Sequence, residues 1–129
     1  LITELGQDAH SIVTGGVSVA QLKALYLTAD VLLVTSRHEG FCVPLVEAMG
    51  LRVPVVAVPN AAVPYTAGDA ARFADPDPAV IAAEIDAVVS DPAAREEQVA
   101  RGWRRYADRF DNRAIGRKFD ALFDDLLAG

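Results

Sequence analysis

Cysteine appears once in this chain of 129 residues, at Cys42, and a single thiol excludes an internal disulfide framework. A reducing compartment fits it, and the cytoplasm is the expected location. Basic residues are scarce too: 12 Lys and Arg stand against 18 Asp and Glu, for a formal net charge of −6. Nucleic acids and anionic membrane surfaces reward clustered cations, so neither is an expected partner. No apolar run approaches the ~18 residues that a membrane span requires, and nothing at the start has the pattern of a signal peptide. The two histidines, His10 and His38, show no metal-ligand spacing with nearby acids, so no metal is expected. Repeats, low-complexity tracts and an inner linker are lacking as well.

What the chain does have is apolar content, 52% of its residues, enough for the core of one domain. The stretch around which it is organised is Ser36-Arg37-His38-Glu39-Gly40-Phe41-Cys42-Val43-Pro44-Leu45-Val46-Glu47-Ala48-Met49. Before it, Val31 to Val34 is short and branched and reads as a buried strand. After a polar loop containing Gly40, a helix opens with Pro44 in its first turn, where a missing amide hydrogen costs nothing. Strand, loop and helix in this order form the ligand-binding edge of an α/β sheet, and the free amides at the helix start attract phosphates. Glu39 and Glu47, eight positions apart, flank that place. The combination points to a nucleotide-sugar site.

Those residues resemble a known signature. Glu39-Gly40-Phe41, Pro44-Leu45 and Glu47-Ala48-Met49, with Ala29-Asp30-Val31 and Ser36 before them, are similar to the Glu-x7-Glu motif of retaining glycosyltransferases of the GT-B fold. These are the glycogen-synthase-like and mannosyltransferase-like enzymes of the glycosyltransferase family 4 type. Gly15 with Leu22, Leu25 and Tyr26 resembles the strand, glycine and helix ahead of the signature. Pro54 to Ala57 resembles the strand after it, and Pro64, Gly68-Asp69-Ala70 and Asp75-Pro76 the loop that follows. The resemblance implies a Rossmann-like, three-layer α/β domain with a parallel sheet, the C-terminal half of a GT-B fold without its N-terminal strands. Residues 1–129 would be a partial nucleotide-sugar-binding domain, with Leu1, Ile2 and Leu5 ending a helix whose beginning is absent. An N-terminal acceptor-binding domain of the same protein would be its partner, and any peripheral contact with a membrane would run through that missing part.

The same resemblance assigns roles. Glu39 would lie beside the donor sugar, placing negative charge near a developing oxocarbenium ion. Glu47 would hold the ribose hydroxyls. Gly40, Phe41 and Cys42, with Val43 to Leu45, would present backbone amides to the sugar and diphosphate, and the turn at Gly15 and Gly16 would approach the nucleotide. The co-substrate would be a GDP-, UDP- or ADP-sugar, with no resident cofactor. A helix start contributes at most about 2 kcal/mol toward a departing diphosphate. In the family an Arg and a Lys from the preceding segment also bind it, so the fragment alone is expected to bind weakly and to be inactive. Four departures cluster near the pocket: Cys42 where glycine is commonest, Arg52 for a glycine, Ala61-Ala62 for a glycine pair, and Tyr65 for an acid. A positive φ at Arg52 would be strained. At a helix start, Cys42 would be either a partly activated thiol or a small buried filler.

Other readings of the same residues stay open. The departures suit a non-catalytic binding or assembly module, and a sugar-nucleotide epimerase shares the fold. A phosphorylase would need a pyridoxal phosphate lysine, for which Lys23 and Lys118 have no suitable context. Ser36 and His38 lack the strained glycine elbow of a hydrolase triad, and Glu39 with Glu47 lacks the facing arrangement of a glycosidase.

Along the rest of the chain, His10 to Thr14 is expected as a strand, Val19 to Ala29 as a helix capped by Ser18, and Val53 to Val58 as a third buried strand. Arg72 to Ala74 adds a short extended piece. Helical spacing then follows Asp77-Pro78, Asp91-Pro92 and Asp111, and the last helix, through Phe119, Leu122, Phe123, Leu126 and Leu127, is expected to leave part of its apolar stripe exposed.

Overall fold

A computed structural model describes Glu4 and residues 6–128. The helix end expected at Leu1, Ile2 and Leu5 lies outside the described residues. A 3-10 turn at Asp8–His10 leads to α1 (Val19–Thr28), β1 (Leu32–Val34), α2 (Val43–Gly50), β2 (Val55–Ala57) and α3 (Val63–Ala67). A second 3-10 turn at Gly68–Ala70 is followed by β3 (Ala71–Phe73), α4 (Pro78–Ser90), α5 (Pro92–Arg109) and α6 (Asn112–Ala128). The strands form one parallel sheet in the order β1-β2-β3, with Leu32 opposite Val55 and Val55 opposite Ala71. This is the α/β architecture that the sequence implied.

Local chemistry sets the helix starts. Ser18 and Gln21 form a reciprocal capping box on α1. Asp77 accepts from the amides of Ala79 and Val80, Asp91 from those of Ala93 and Ala94, and Asp111 from that of Arg113. Proline follows the first two caps, in the first turn of α4 and of α5.

The sheet is covered on both faces, which explains the unbroken apolar run from Val53 to Val58. Val55 and Ala57 join Tyr26, Val34, Leu45, Ala48 and Met49 in one core cluster. Val56, between them, points the other way and packs with Ala74, Val88, Ile81 and Ile85. Helix α5 closes the first face: Gly102 brings it against Met49, and its buried Gln98 donates Nε2–H to the carbonyls of Val55 (2.6 Å) and Ala70 (3.0 Å).

Two expectations need correction. His10 ends a 3-10 turn, and Ile12 and Val13 are 91% and 81% exposed, so the strand at His10 to Thr14 does not form. A strand needs a paired neighbour and a covered face, and the described residues offer this segment neither. The segment expected as a loop around Pro64 instead contains α3, with Pro64 in its first turn and the Thr66 amide donating to the Ala62 carbonyl at 2.9 Å. Among the described residues no helix is long and apolar enough to cross a membrane.

Candidate functional site

Beyond the C-terminal end of β1, the loop and the start of α2 meet α1. Glu47, half-buried on α2, receives a hydrogen bond from the Tyr26 hydroxyl of α1 at 2.9 Å. Burial and, second, the adjacent Glu47 carboxylate push the Tyr26 phenol far above its ordinary 10.0. The hydroxyl therefore stays protonated and holds the carboxylate as a donor. Glu47 lines two recesses. One, of about 200 Å³, lies between α1 and α2 among Val19, Leu22, Lys23, Tyr26 and Leu51. The other, of about 330 Å³, opens toward α5 with Val46, Gly50, Tyr106 and Phe110.

The loop is fastened to α3. The Glu39 carbonyl accepts from the Ala62 amide at 3.3 Å, and the Phe41 carbonyl from Thr66 Oγ1 at 2.5 Å. Phe41 meets Phe110 edge to face at 5.7 Å and is 43% exposed, so it packs and borders the site at once. Glu39 is half-buried and Gly40 exposed. Cys42 stands immediately before α2 with φ of 66° and is 3% exposed. Burial raises its thiol pKa, the Leu45 amide lowers it, and the Glu39 charge raises it again, for a net rise. It is a buried filler, not an activated thiol.

The amides at the start of α2 divide into used and unused. Leu45, its side chain fully buried, donates its N–H to the Cys42 carbonyl at 3.1 Å, and Pro44 has none to give. The amides of Gly40, Phe41, Cys42 and Val43 find no acceptor among the described residues. The structure thus gathers Glu39, Gly40, Phe41, Cys42, Val43 and Glu47 at one edge. Gly15 and Gly16 are exposed ahead of α1 and line neither recess of Glu47. Sequence reasoning missed Tyr26 and Thr66 as site residues. For Tyr26 a signal existed: a phenol on the apolar face of a helix needs a hydrogen-bond partner once buried.

Residues 1–105 match the family described as Glycosyl transferases group 1. The chain belongs to this family. Its relatives include an MMP alpha-(1->4)-mannosyltransferase of Mycolicibacterium hassiacum, 30% identical over 99% of this chain and 32% of that protein. An O-antigen chain mannosyltransferase B of Escherichia coli is 39% identical over 68% of this chain and 23% of that protein. The chain thus spans about a third or less of the length of these relatives. A sucrose-phosphate synthase from Thermosynechococcus elongatus has a similar fold, with a TM-score of 0.83 and 25% identity over 98% of this chain and 33% of that one. In this group 1 glycosyl transferase chain, three of the residues that depart from the signature's usual glycines, Cys42, Arg52 and Ala61, take positive φ. Ala62, the fourth, is right-handed, with φ of −78°.

Proposed function

We propose that this chain is the donor-binding part of a retaining, metal-independent glycosyltransferase that passes a sugar from a nucleotide-sugar to an acceptor hydroxyl. The observation that carries the proposal is the Tyr26–Glu47 hydrogen bond, which fixes a carboxylate beside a run of unused amides. Glu47 would accept hydrogen bonds from the ribose hydroxyls, with the nucleoside against the apolar recess of Leu22, Tyr26 and Leu51. The amides of Gly40, Cys42 and Val43 would meet the sugar and diphosphate, helped by the positive end of α2. Glu39 would face the anomeric carbon and stabilise positive charge as the diphosphate departs. The remaining cations and the acceptor site would come from a partner domain, so this chain alone would be inactive. The mannosyltransferase relatives make a mannosyl donor the first to test.

The test is an NMR titration of the chain with GDP-mannose, UDP-glucose and ADP-glucose. One donor is expected to shift the amides of residues 40–47, and Glu47→Gln to weaken it about tenfold, the loss of roughly one charge-assisted hydrogen bond. Absence of shifts at these amides with every donor at millimolar concentration overturns the proposal.

A further inference from the structure

Thr66 is fully buried on α3, 25 positions beyond Phe41, and nothing in the sequence marks it as part of the site. Its hydroxyl donates to the Phe41 carbonyl at 2.5 Å. The peptide joining Phe41 and Cys42 is trans and planar, so a carbonyl held inward aims the Cys42 N–H outward, and that amide has no acceptor among the described residues. The Glu39 carbonyl is held by the Ala62 amide, so the Gly40 N–H points away from Ala62.

This orientation opposes the preference of the residue that adopts it. Cys42 has φ of 66°, a conformation that an L side chain disfavours. Turning the 41–42 peptide over would relieve it, and would also replace the outward amide by an outward carbonyl oxygen, which repels an anion. The Thr66 hydroxyl is the group placed to prevent that turn. Thr66 is itself secured: Arg105 on α5 donates Nε–H to the Thr66 carbonyl at 2.8 Å and Nη2–H to the Tyr65 carbonyl at 2.6 Å. The guanidinium occupies the space a side chain would fill at Gly68, where a Cβ would lie 2.5 Å from Arg105 Cζ.

We infer that Thr66 is a positioning residue that locks the 41–42 peptide so that the Cys42 amide faces the donor, with Arg105 anchoring it from behind. The inference rests on the donor-binding reading above. A glycine at position 42 would not resist this orientation, so the cysteine makes the lock necessary.

Thr66→Val keeps the shape and removes the hydroxyl, and Thr66→Ser keeps the hydroxyl. NMR of the chain reads the Phe41 carbonyl shift and the sign of φ at Cys42, and titration with GDP-mannose, UDP-glucose and ADP-glucose reads affinity. In Thr66→Val the carbonyl shift is expected to move to its unbonded position, φ at Cys42 to turn negative, and affinity to fall about tenfold. Thr66→Ser is expected to restore all three, which a merely structural defect would not do. Positive φ at Cys42 retained in Thr66→Val overturns the inference, whether or not a donor binds. Should that variant not fold, the unmodified chain decides: a bound donor that leaves the Cys42 amide unshifted overturns the inference, and a large downfield shift there supports it. Failure of every donor to bind counts against the donor-binding reading alone.

Discussion

Arg52 pays a conformational penalty in plain view. Its φ of 62° lies in the left-handed region, which costs an L-residue about 1–2 kcal/mol. Its guanidinium lies over the Trp103 ring, 4.6 Å from the centroid, a contact that returns about 0.5–1 kcal/mol. Arg52→Ala keeps the backbone cost and loses the contact, so urea unfolding should show it about 0.5–1 kcal/mol less stable. Arg52→Gly loses both and should exceed Arg52→Ala by about 1 kcal/mol. An alanine variant as stable as the glycine variant would show that the left-handed turn carries no cost. At this scale the sequence was informative at Arg52, where strain was the expected cost of a positive φ, because backbone demand is local. It placed Trp103 on the apolar stripe of a helix but not over Arg52, because the contact joins positions 51 residues apart.

Elements were legible in proportion to how local their determinants are. Ser18, Asp77, Asp91 and Asp111 announce helices through bonds to amides two or three residues away. The expected strand at His10 to Thr14 shows the opposite case, since the apolar Ile12-Val13 centre supplies side chains but not a partner strand. The bond between α1 and α2 through Tyr26 and Glu47 spans 21 positions and needed the fold to be seen. It has a pH signature. The folded phenol titrates well above its ordinary 10.0, so above about that pH the unfolded chain releases a proton that the folded chain keeps. Stability then falls as pH rises, by up to about 1.4 kcal/mol per pH unit, and below that range this group adds no slope. Tyr26→Phe should lack this loss while costing about 1 kcal/mol at neutral pH, both read from urea unfolding between pH 7 and pH 11. Parallel curves for the two chains would count against the buried phenol.

At the scale of the molecule, the acidic exterior and parallel sheet were readable, and so was the apolar stripe of α6. Ile115, Phe119, Leu122 and Leu126 are half or more exposed along it, and the Phe119 ring meets that of its neighbour Phe123, tilted and 4.8 Å between centroids. A continuous apolar helix face favours association. Sedimentation velocity should show the chain self-associating as concentration rises, and Phe119→Glu with Leu126→Glu should abolish this without lowering the thermal midpoint. Concentration-independent sedimentation of the unsubstituted chain would contradict it. The strand order β1-β2-β3 has a consequence for how the protein is made. β2 lies beside β1 and β3 beside β2, so during translation these strands can join one after another. Among the described strands none has to wedge between neighbours that have already joined, and by the time β3 leaves the ribosome its docking edge on β2 is waiting.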